Sequence, residues 1–318
     1  MPRVSVIVPA FNAAPYVGET IASVVAQSLD DWELTVVDDG STDGSADIAA
    51  DWARRDARVT LLRQPNRGVA AARNAGFAAS SAAAEYLLFL DADDCLEASA
   101  LQLMTSYLDR HPGVGMAHCG YTLVDGQGRR MESDGEPWTP RWVPSGRWIR
   151  KLEPDEPDTP FVSVFCLAAI VPSLALIRRS AYSLTPGWDE AFGQPFEDTN
   201  LFLHIALVSR IHHIAEPLVR RRHHGGQSTA DLDALAGQER KLYERWRNPI
   251  GVTDAQRETV RSARWFREHR LIPAQATKAA RRYLRERRPL LALRFLAGAA
   301  RSWLASHVRE IRRRGGAP

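Results

Sequence analysis

The chain has 318 residues, of which 45% are hydrophobic and 25% charged, and its formal net charge is +3. This balance suits one large or two modest globular domains and excludes a wholly disordered chain. Only the segment Gly251–Pro318 is strongly basic, with about 17 Lys and Arg against about 5 Asp and Glu. We therefore expect no nucleic-acid partner for the protein as a whole.

The cysteine content and the N-terminal sequence indicate the cellular compartment of the protein. Cys95, Cys119 and Cys166 form no Cys-x-x-Cys pair, which is typical of buried thiols in a reducing compartment. No signal-peptide pattern is present, and no segment reaches the roughly 20 apolar residues of a membrane span. We expect a cytoplasmic protein, with peripheral contact at the inner face of the membrane left open.

The first 110 residues alternate between strand and helix patterns. The predicted strands are Val4–Pro9, Glu33–Asp38, Val59–Arg63 and Glu85–Leu90. The predicted helices are Tyr16–Gln27, Ser45–Arg54, Gly68–Ala79 and Leu96–Arg110. Such alternation predicts an α/β fold, with a mostly parallel sheet flanked by helices on both faces.

The later part of the chain is less regular. Its predicted elements are loops with a few short strands over Gly113–Pro160, a buried helix or strand in Val162–Arg179, a helix over Thr199–Val208, a strand over Arg210–Val219 and a loop over Arg220–Thr229. After Ala230 the sequence is helical and rich in Arg to its end. A domain boundary is therefore expected near Thr229.

Polar clusters follow three of the predicted strands, at Pro9–Asn12, Asp38–Asp43 and Asp91–Asp94. In an open parallel sheet, ligands bind beyond the carboxyl ends of the strands. The sharpest signal is Asp91-Ala-Asp93, because two carboxylates at a strand end can bind a divalent cation that also takes phosphate oxygens. The alternative is that Asp93 or Asp94 only caps the helix predicted from Leu96.

Two further clusters carry groups that suit a nucleotide. Asp39 at a strand end can accept a hydrogen bond from a base or a ribose, although the same residues also form ordinary turns. Gly68 allows a helix to begin close to a ligand, and Arg73 offers a fork of donors for a diphosphate or a base. The alternative for Arg73 is a solvated position on a surface helix.

Four stretches together resemble the family 2 glycosyltransferases in order and spacing: Val4–Asn12, Val37–Gly44, Asn66–Gly76 and Phe89–Asp94. The resemblance implies a GT-A fold with a helical C-terminal extension. It also implies inverting transfer of a sugar from a nucleotide diphosphate sugar, most commonly UDP-linked in this family, with Mg²⁺ or Mn²⁺. The implied domains are a GT-A region over 1–229, with a nucleotide-sugar half (1–112) and an acceptor half (113–229), and a basic helical region over 230–318.

The resemblance also implies roles for individual residues. Pro9, Ala10, Phe11 and Asn12 would line the nucleotide pocket, Asp39 would contact the base, Arg73 would help to fix the nucleotide, Asp91 and Ala92 would lie near the ribose and metal, and Asp93 would bind the metal.

Two later segments resemble the family more weakly. Pro186–Glu190 and Phe196–Asp198 are similar to its acceptor segment, which implies substrate contacts for Trp188 and Glu197 and a general base at Asp198. The helix N-terminus would favour the ionised form of Asp198, although capping is the alternative role.

The second of these segments, Arg222–Ser228, is similar to the family's late histidine loop. His224 is favoured over His223 as the residue that approaches the metal or the diphosphate. Gly225 stands where the family pattern leads us to expect proline, and a surface loop position is the alternative for either histidine.

The remaining expectations concern partners. A saccharide or lipid-linked acceptor in cell-envelope polysaccharide or glycoconjugate synthesis would suit the family. A basic amphipathic pattern over Leu293–Arg312 would suit peripheral contact with a membrane, or packing on the catalytic domain or on a second copy. The alternative functions are a nucleotidyltransferase and a sugar-nucleotide-binding or scaffolding protein without transfer activity. The first usually has a Gly-rich loop after its first strand, and Pro9–Ala14 lacks glycine.

Overall fold

The computed structural model describes residues 1–131, 141–142, 148–149, 157–166, 170–192, 194–225, 232–268, 293, 296 and 297. Its strands are β1 (Val4–Ala10), β2 (Trp32–Asp38), β3 (Val59–Arg63), β4 (Tyr86–Phe89), β5 (Cys95–Leu96), β6 (Val114–Val124), β7 (Arg141–Trp142), β8 (Trp148–Ile149), β9 (Ala175–Arg178) and β10 (Arg210–Arg222). Its helices are α1 (Val17–Val25), α2 (Ser45–Arg55), α3 (Val69–Ala79), α4 (Ala100–Arg110), α5 (Phe161–Cys166), α6 (Arg179–Tyr182), α7 (Glu197–Val208), α8 (Leu232–Arg245) and α9 (Asp254–Phe266), with a 3₁₀ turn at Pro172–Leu174.

Eight strands form one mixed sheet in the order β3-β2-β1-β4-β9-β6-β10-β5. The first four strands pair in parallel, and β6 pairs in parallel with β10. Strand β9 runs antiparallel between β4 and β6, and β5 runs antiparallel to β10. The predicted α/β fold with a mostly parallel sheet flanked by helices is confirmed, and the polar segments after β1, β2 and β4 lie at one edge of the sheet.

Helix α3 lies close against β1 because it is rich in alanine and has Gly76 on its inner face. A Cβ atom on Gly76 would lie 2.3 Å from the Cγ2 atom of Ile7, so a larger residue would push the helix off the sheet. This close packing fixes the position of Arg73 on the same helix.

The structure corrects three predicted elements. The helix predicted from Leu96 begins at Ala100, because Cys95 and Leu96 pair with β10 instead. Asp93 and Asp94 are therefore not caps of that helix. Strand β6 extends over 11 residues where we predicted loops and short strands, since Gly and His interrupt its apolar pattern. Strand β10 continues to Arg222, where we predicted a loop from Arg220 onward.

The chain divides into two compact units, Met1–Asn248 and Pro249–Pro318. The division lies later than the predicted boundary near Thr229 because the end of α8 packs in the first unit. There the Tyr243 hydroxyl donates to the carbonyl of Phe165 at 3.2 Å. The assignment of 1–112 and 113–229 to donor and acceptor stays a prediction.

In the second unit, α9 begins at a capping box formed by Thr253 and Gln256. Among the residues that the structure describes, no helix combines the length and apolar character needed to cross a membrane. Most of the predicted amphipathic segment Leu293–Arg312 lies outside the described residues.

Candidate active site

A cleft of about 550 Å³ opens beyond the carboxyl ends of β1, β2 and β4. Its volume suits a small-molecule ligand. The cleft wall includes, among the residues predicted to bind substrate or metal, Pro9, Ala10, Phe11, Asn12, Asp39, Arg73, Asp91, Ala92, Asp93, Glu197, Asp198 and His224. The structure thus brings together residues from both ends of the 1–225 region, and Trp188 is the predicted residue that does not line the cleft.

The loop after β1 is locked to the loop after β2 by hydrogen bonds. Asn12 has a positive φ of 49°, a conformation that Asn tolerates better than most residues. Its Oδ1 atom accepts a hydrogen bond from the backbone N–H of Thr42 at 2.9 Å. Phe11, in the loop after β1, remains 51% exposed and lines the cleft. The arrangement presents an aromatic face to a ligand on an ordered loop.

Asp39 organises the segment that leads into α3. Its Oδ1 atom accepts from Gln64 Nε2 at 2.7 Å and from the backbone N–H of Arg67 at 2.9 Å. Its Oδ2 atom accepts from the backbone N–H of Gly68 at 2.8 Å. Gly68 has a positive φ of 88°, which explains the glycine at the start of α3. The carboxylate therefore holds the loop in place, in addition to the base contact predicted for it.

The Asp91–Asp94 turn is held by hydrogen bonds from distant elements. The carbonyl of Ala92 accepts from the Thr20 hydroxyl at 2.9 Å, and the carbonyl of Asp93 accepts from Arg222 Nε at 2.9 Å. Asp94 is buried and accepts from the backbone N–H of Arg222 at 2.9 Å. Burial raises the pKa of Asp94 to about 8, with a smaller contribution from the negative charge of Asp93. Asp94 thus fixes the turn, while Asp91 and Asp93 face the cleft.

Asp93 and His224 lie side by side, with 3.0 Å between Oδ2 and Nε2. Burial raises the pKa of Asp93, and the charge of Asp91 raises it further. The ring of Tyr16 lies 4.7 Å from the ring of His224, centre to centre, and keeps the imidazole over the cleft. His223, the alternative, is exposed.

This carboxylate and imidazole suit a divalent cation that completes its coordination with other ligands. In the described part of the chain, no group of three or more His, Cys, Asp or Glu could hold a metal alone. Mg²⁺ and Mn²⁺ in phosphate-binding sites use few protein ligands and take the rest from phosphate oxygens and water. The pair of Asp93 and His224 therefore fits such an ion together with a diphosphate.

Arg73 joins the two sides of the cleft from within the protein. Its side chain is 2% exposed, with Nη2 2.8 Å from Asp91 Oδ1 and Nη1 2.9 Å from Glu197 Oε1. Burial alone would lower the pKa of Arg73, but the two carboxylates raise it above its usual value. The residue is thus not solvated on a surface helix, and each of its terminal nitrogens donates one hydrogen bond to a carboxylate. The nucleotide contact predicted for Arg73 stays a prediction.

Trp188 lies behind the cleft wall instead of on it. It is 2% exposed, and the Arg73 guanidinium lies 4.2 Å from the centre of its ring. Its ring also meets Phe89 edge to face at 5.0 Å. In the structure Trp188 supports Arg73, and the substrate contact predicted for Trp188 stays a prediction.

Asp198 lies in the first turn of α7 at the opposite wall. Phe196, with a positive φ of 88°, occupies the cap position, so Asp198 is not the cap residue. One carboxylate oxygen accepts from the Thr199 hydroxyl at 3.3 Å. Burial raises the pKa of Asp198 to about 7, with a smaller contribution from the negative charge of Glu197. We expected the N-terminus of the helix to favour the ionised form of Asp198. Burial and the neighbouring Glu197 carboxylate favour the protonated form more strongly than the helix favours the ionised one.

Sequence reasoning missed the structural role of Arg222. This residue is buried, and besides its bond to Asp93 it donates from Nη2 to Glu19 Oε2 at 2.6 Å. Its guanidinium also lies 5.1 Å from the centre of the Tyr16 ring. The run of three arginines at 220–222 was the available signal, because alternate residues on a strand face opposite sides.

The cleft is thus lined by two ordered strand-end loops, an acidic turn and a carboxyl group at the start of a helix. The Glycosyl transferase family 2 model matches residues 5–183, more than half of the chain. The chain therefore belongs to glycosyl transferase family 2, as its motifs predicted.

Three known proteins illustrate the relationship. The uncharacterized glycosyltransferase EpsJ of Bacillus subtilis (strain 168) is 34% identical over 156 residues, which are 49% of this chain and 42% of EpsJ. The chain thus spans less than half the length of that relative.

Two solved structures share the fold. A crystal structure of S. aureus TarS 1-349 with UDP-GlcNAc has a TM-score of 0.59 at 17% identity, covering 95% of this chain and 92% of that one. The mannosyltransferase PcManGT of Pyrobaculum calidifontis, with GDP-Man and Mn²⁺, has a TM-score of 0.58 at 18% identity, covering 95% and 87%. The expected GT-A fold is confirmed.

Proposed function

We propose that this chain transfers a sugar from a nucleotide diphosphate sugar to an acceptor hydroxyl, with inversion at the anomeric carbon. The observation that carries the proposal is the cleft itself. It has a carboxylate–imidazole pair, Asp93 and His224, on one wall, and Asp198, with a pKa near 7, on the other. Asp93 and His224 suit a metal ion that binds the leaving diphosphate, and Asp198 suits removal of a proton from the acceptor.

Asp198 is the proposed general base. A base works best when its pKa lies near the working pH, because it is then ionised often enough and still basic enough. Asp198 would take the proton of the acceptor hydroxyl while that oxygen attacks the anomeric carbon in one displacement. Since the scheme uses one base and no nucleophile from the enzyme, the product has inverted configuration.

Asp93 and His224 are the proposed protein ligands of Mg²⁺ or Mn²⁺. When bound, such an ion supplies positive charge where negative charge develops on the departing diphosphate. The turn from Asp91 to Asp94 is rigid because Thr20 and Arg222 donate to its carbonyls, so the ligand position is set before any metal arrives.

The donor nucleotide is proposed to lie on the loops after β1 and β2. Phe11 offers an exposed ring for a base, and Asp39, whose Oδ2 atom accepts only one of the loop hydrogen bonds, keeps capacity for another. TarS binds UDP-GlcNAc in its solved structure and PcManGT binds GDP-Man. We propose a UDP-sugar, following the family resemblance, with GDP as the alternative to test.

The acceptor is proposed to be a saccharide or a lipid-linked saccharide of the cell envelope, with the reaction on the cytoplasmic side of the membrane. All three cysteines are buried, which fits a reducing compartment. Contact of the C-terminal segment with a membrane remains a prediction. Salt-sensitive co-sedimentation of the full chain with anionic vesicles, lost on removal of residues 289–318, would support that contact.

Thermal stabilisation tests the proposed function. The full chain is heated with UDP, UDP-GlcNAc, UDP-glucose, GDP or GDP-mannose, each with Mn²⁺ or with EDTA. A ligand that binds only the folded state raises the midpoint of unfolding. We expect at least one nucleotide to raise it, and to do so more with Mn²⁺. If neither UDP, GDP nor any of these sugars stabilises the chain, the proposed function is wrong.

A further inference from the structure

The charges on the cleft wall do not balance. Its lining includes six carboxylic acids, Asp39, Asp91, Asp93, Asp94, Glu197 and Asp198, and three basic residues, Arg73, Arg221 and His224. Asp94, with a pKa of about 8, is mostly neutral at pH 7, so five carboxylic acids remain against the three basic residues. A nucleoside diphosphate brings further negative charge into this acidic cleft. One divalent cation offsets only part of it, so a cationic side chain that can reach the phosphates is needed.

The positive charge of Arg73 is already offset, because its terminal groups pair with Asp91 and Glu197. Arg221 differs. In the described part of the chain it has no carboxylate partner, and its guanidinium lies 5.6 Å from the centre of the Tyr121 ring. It is half-buried, so the ring limits its freedom without neutralising its charge.

Arg221 lines the cleft and lies on a different face of β10 from its two neighbours. Arg220 and Arg222 both pair with Glu19, at 3.3 Å and 2.6 Å, and therefore share one face of β10. Successive side chains on a strand point to opposite faces, so Arg221 points to the other side. Three residues later the chain reaches His224, which lies against Asp93. Among the described residues, Arg221 is thus an arginine that has no carboxylate partner and lines the same cleft as Asp93 and His224.

We propose that Arg221 binds a phosphate group in the cleft, namely the terminal phosphate of the donor's nucleoside diphosphate. The inference rests on the proposed function and adds to it a protein cation that complements the metal. A guanidinium can donate two parallel hydrogen bonds to phosphate oxygens, and its charge stabilises the diphosphate as it leaves the sugar. An acceptor that carries phosphate would present the same chemistry, so the test separates these two sources.

The test uses the full chain with Mn²⁺ and whichever of UDP and GDP stabilises it, together with the matching monophosphate. Arg221→Gln should weaken binding of the diphosphate by about 10-fold or more, the usual scale for one charge-assisted contact. Binding of the monophosphate should change by less than about 3-fold. Arg221→Lys, which keeps the charge but loses the fork, should fall between the two.

The matched control is Arg220→Gln, which removes the same charge one position earlier from a residue paired with Glu19 and Glu97. It should leave both affinities within about 3-fold of wild type. A second arm adds millimolar inorganic phosphate to the nucleotide-saturated chain. Stabilisation by phosphate that Arg221→Gln abolishes, with unchanged diphosphate affinity, would assign Arg221 to a phosphate-bearing acceptor.

The outcomes are distinct. If wild type binds neither UDP nor GDP, the proposed function fails. If wild type binds one of them, and neither nucleotide nor inorganic phosphate depends on Arg221 more than on Arg220, the role of Arg221 is overturned while the proposed function stands.

Discussion

The two walls of the cleft are built in different ways. The wall formed by the loops after β1 and β2 is held largely by hydrogen bonds from backbone N–H groups, such as those from Thr42 to Asn12 and from Gly68 to Asp39. The wall formed by α7 is tied to the Asp91 turn by a buried cation, Arg73. The first wall is thus held by several separate backbone hydrogen bonds, whereas the second depends on buried charges that must stay paired. Substitutions should therefore cost little on the first wall and much on the second.

The largest effect on stability is expected for Arg73→Met. Loss of the buried cation leaves Glu197 buried without its partner, which costs about 3–5 kcal/mol. Urea unfolding measures this cost. The matched control is Arg67→Gln, since Arg67 is 61% exposed and its pair with Glu190 lies at the surface. That change should cost less than about 1 kcal/mol. Equal losses in the two variants would mean that the buried pair does not join the walls.

The largest effect on catalysis is expected for Asp198→Asn. Loss of a general base should slow transfer by at least about 100-fold, while donor affinity stays nearly unchanged. Initial rates and donor titration separate the two quantities. Glu190→Gln, a neutralised carboxylate in the surface pair with Arg67, is the control and should stay near wild type. A parallel loss of donor binding in Asp198→Asn would instead indicate a structural role.

The pH profile sharpens the same assignment. The pKa of Asp198 lies at about 7, well above that of an ordinary Asp, so the base is protonated and inactive at low pH. The transfer rate at saturating donor should therefore fall tenfold for each pH unit below about 7. A rate that stays constant down to pH 5 would contradict this assignment.

A smaller effect is expected at the metal pair. His224→Ala should weaken Mn²⁺-dependent binding of the nucleotide by about 10-fold, and His223→Ala by less than about 2-fold, because the His224 imidazole lies 3.0 Å from Asp93 whereas His223 is exposed. Calorimetric titration with Mn²⁺ and nucleotide measures both. The reverse ranking would show that the loop presents His223 to the metal.

The smallest effect is expected on the first wall. Asn12→Ala removes one neutral hydrogen-bond acceptor and a residue suited to positive φ, so it should cost about 1 kcal/mol of stability. If its cost in urea unfolding matched that of Arg73→Met, the contrast between the walls would be lost.

Sequence reasoning predicted the first wall well and the second only in outline. The strand-end motifs around Asn12 and Asp39 are short, so each could be recognised where it stands. The same holds for the Asp91–Asp94 turn, although not for its partners. The partners of Arg73 could not be found in this way, because Glu197 lies 124 residues away. The length of β6 was missed because Gly and His interrupt its apolar pattern. Long-range ion pairs leave no periodic signal in a single sequence.

The most direct test of the central claim is release of nucleoside diphosphate from the panel of nucleotide sugars, with and without Mn²⁺. Wild type, Asp93→Ala and Asp198→Asn are compared after each is shown to be folded. We expect metal-dependent release by wild type from at least one nucleotide sugar, and a loss of at least about 100-fold in Asp198→Asn. Asp93→Ala should lose the dependence on metal together with the activity. Release by Asp198→Asn at the wild-type rate, or metal-dependent release by Asp93→Ala, would contradict the account.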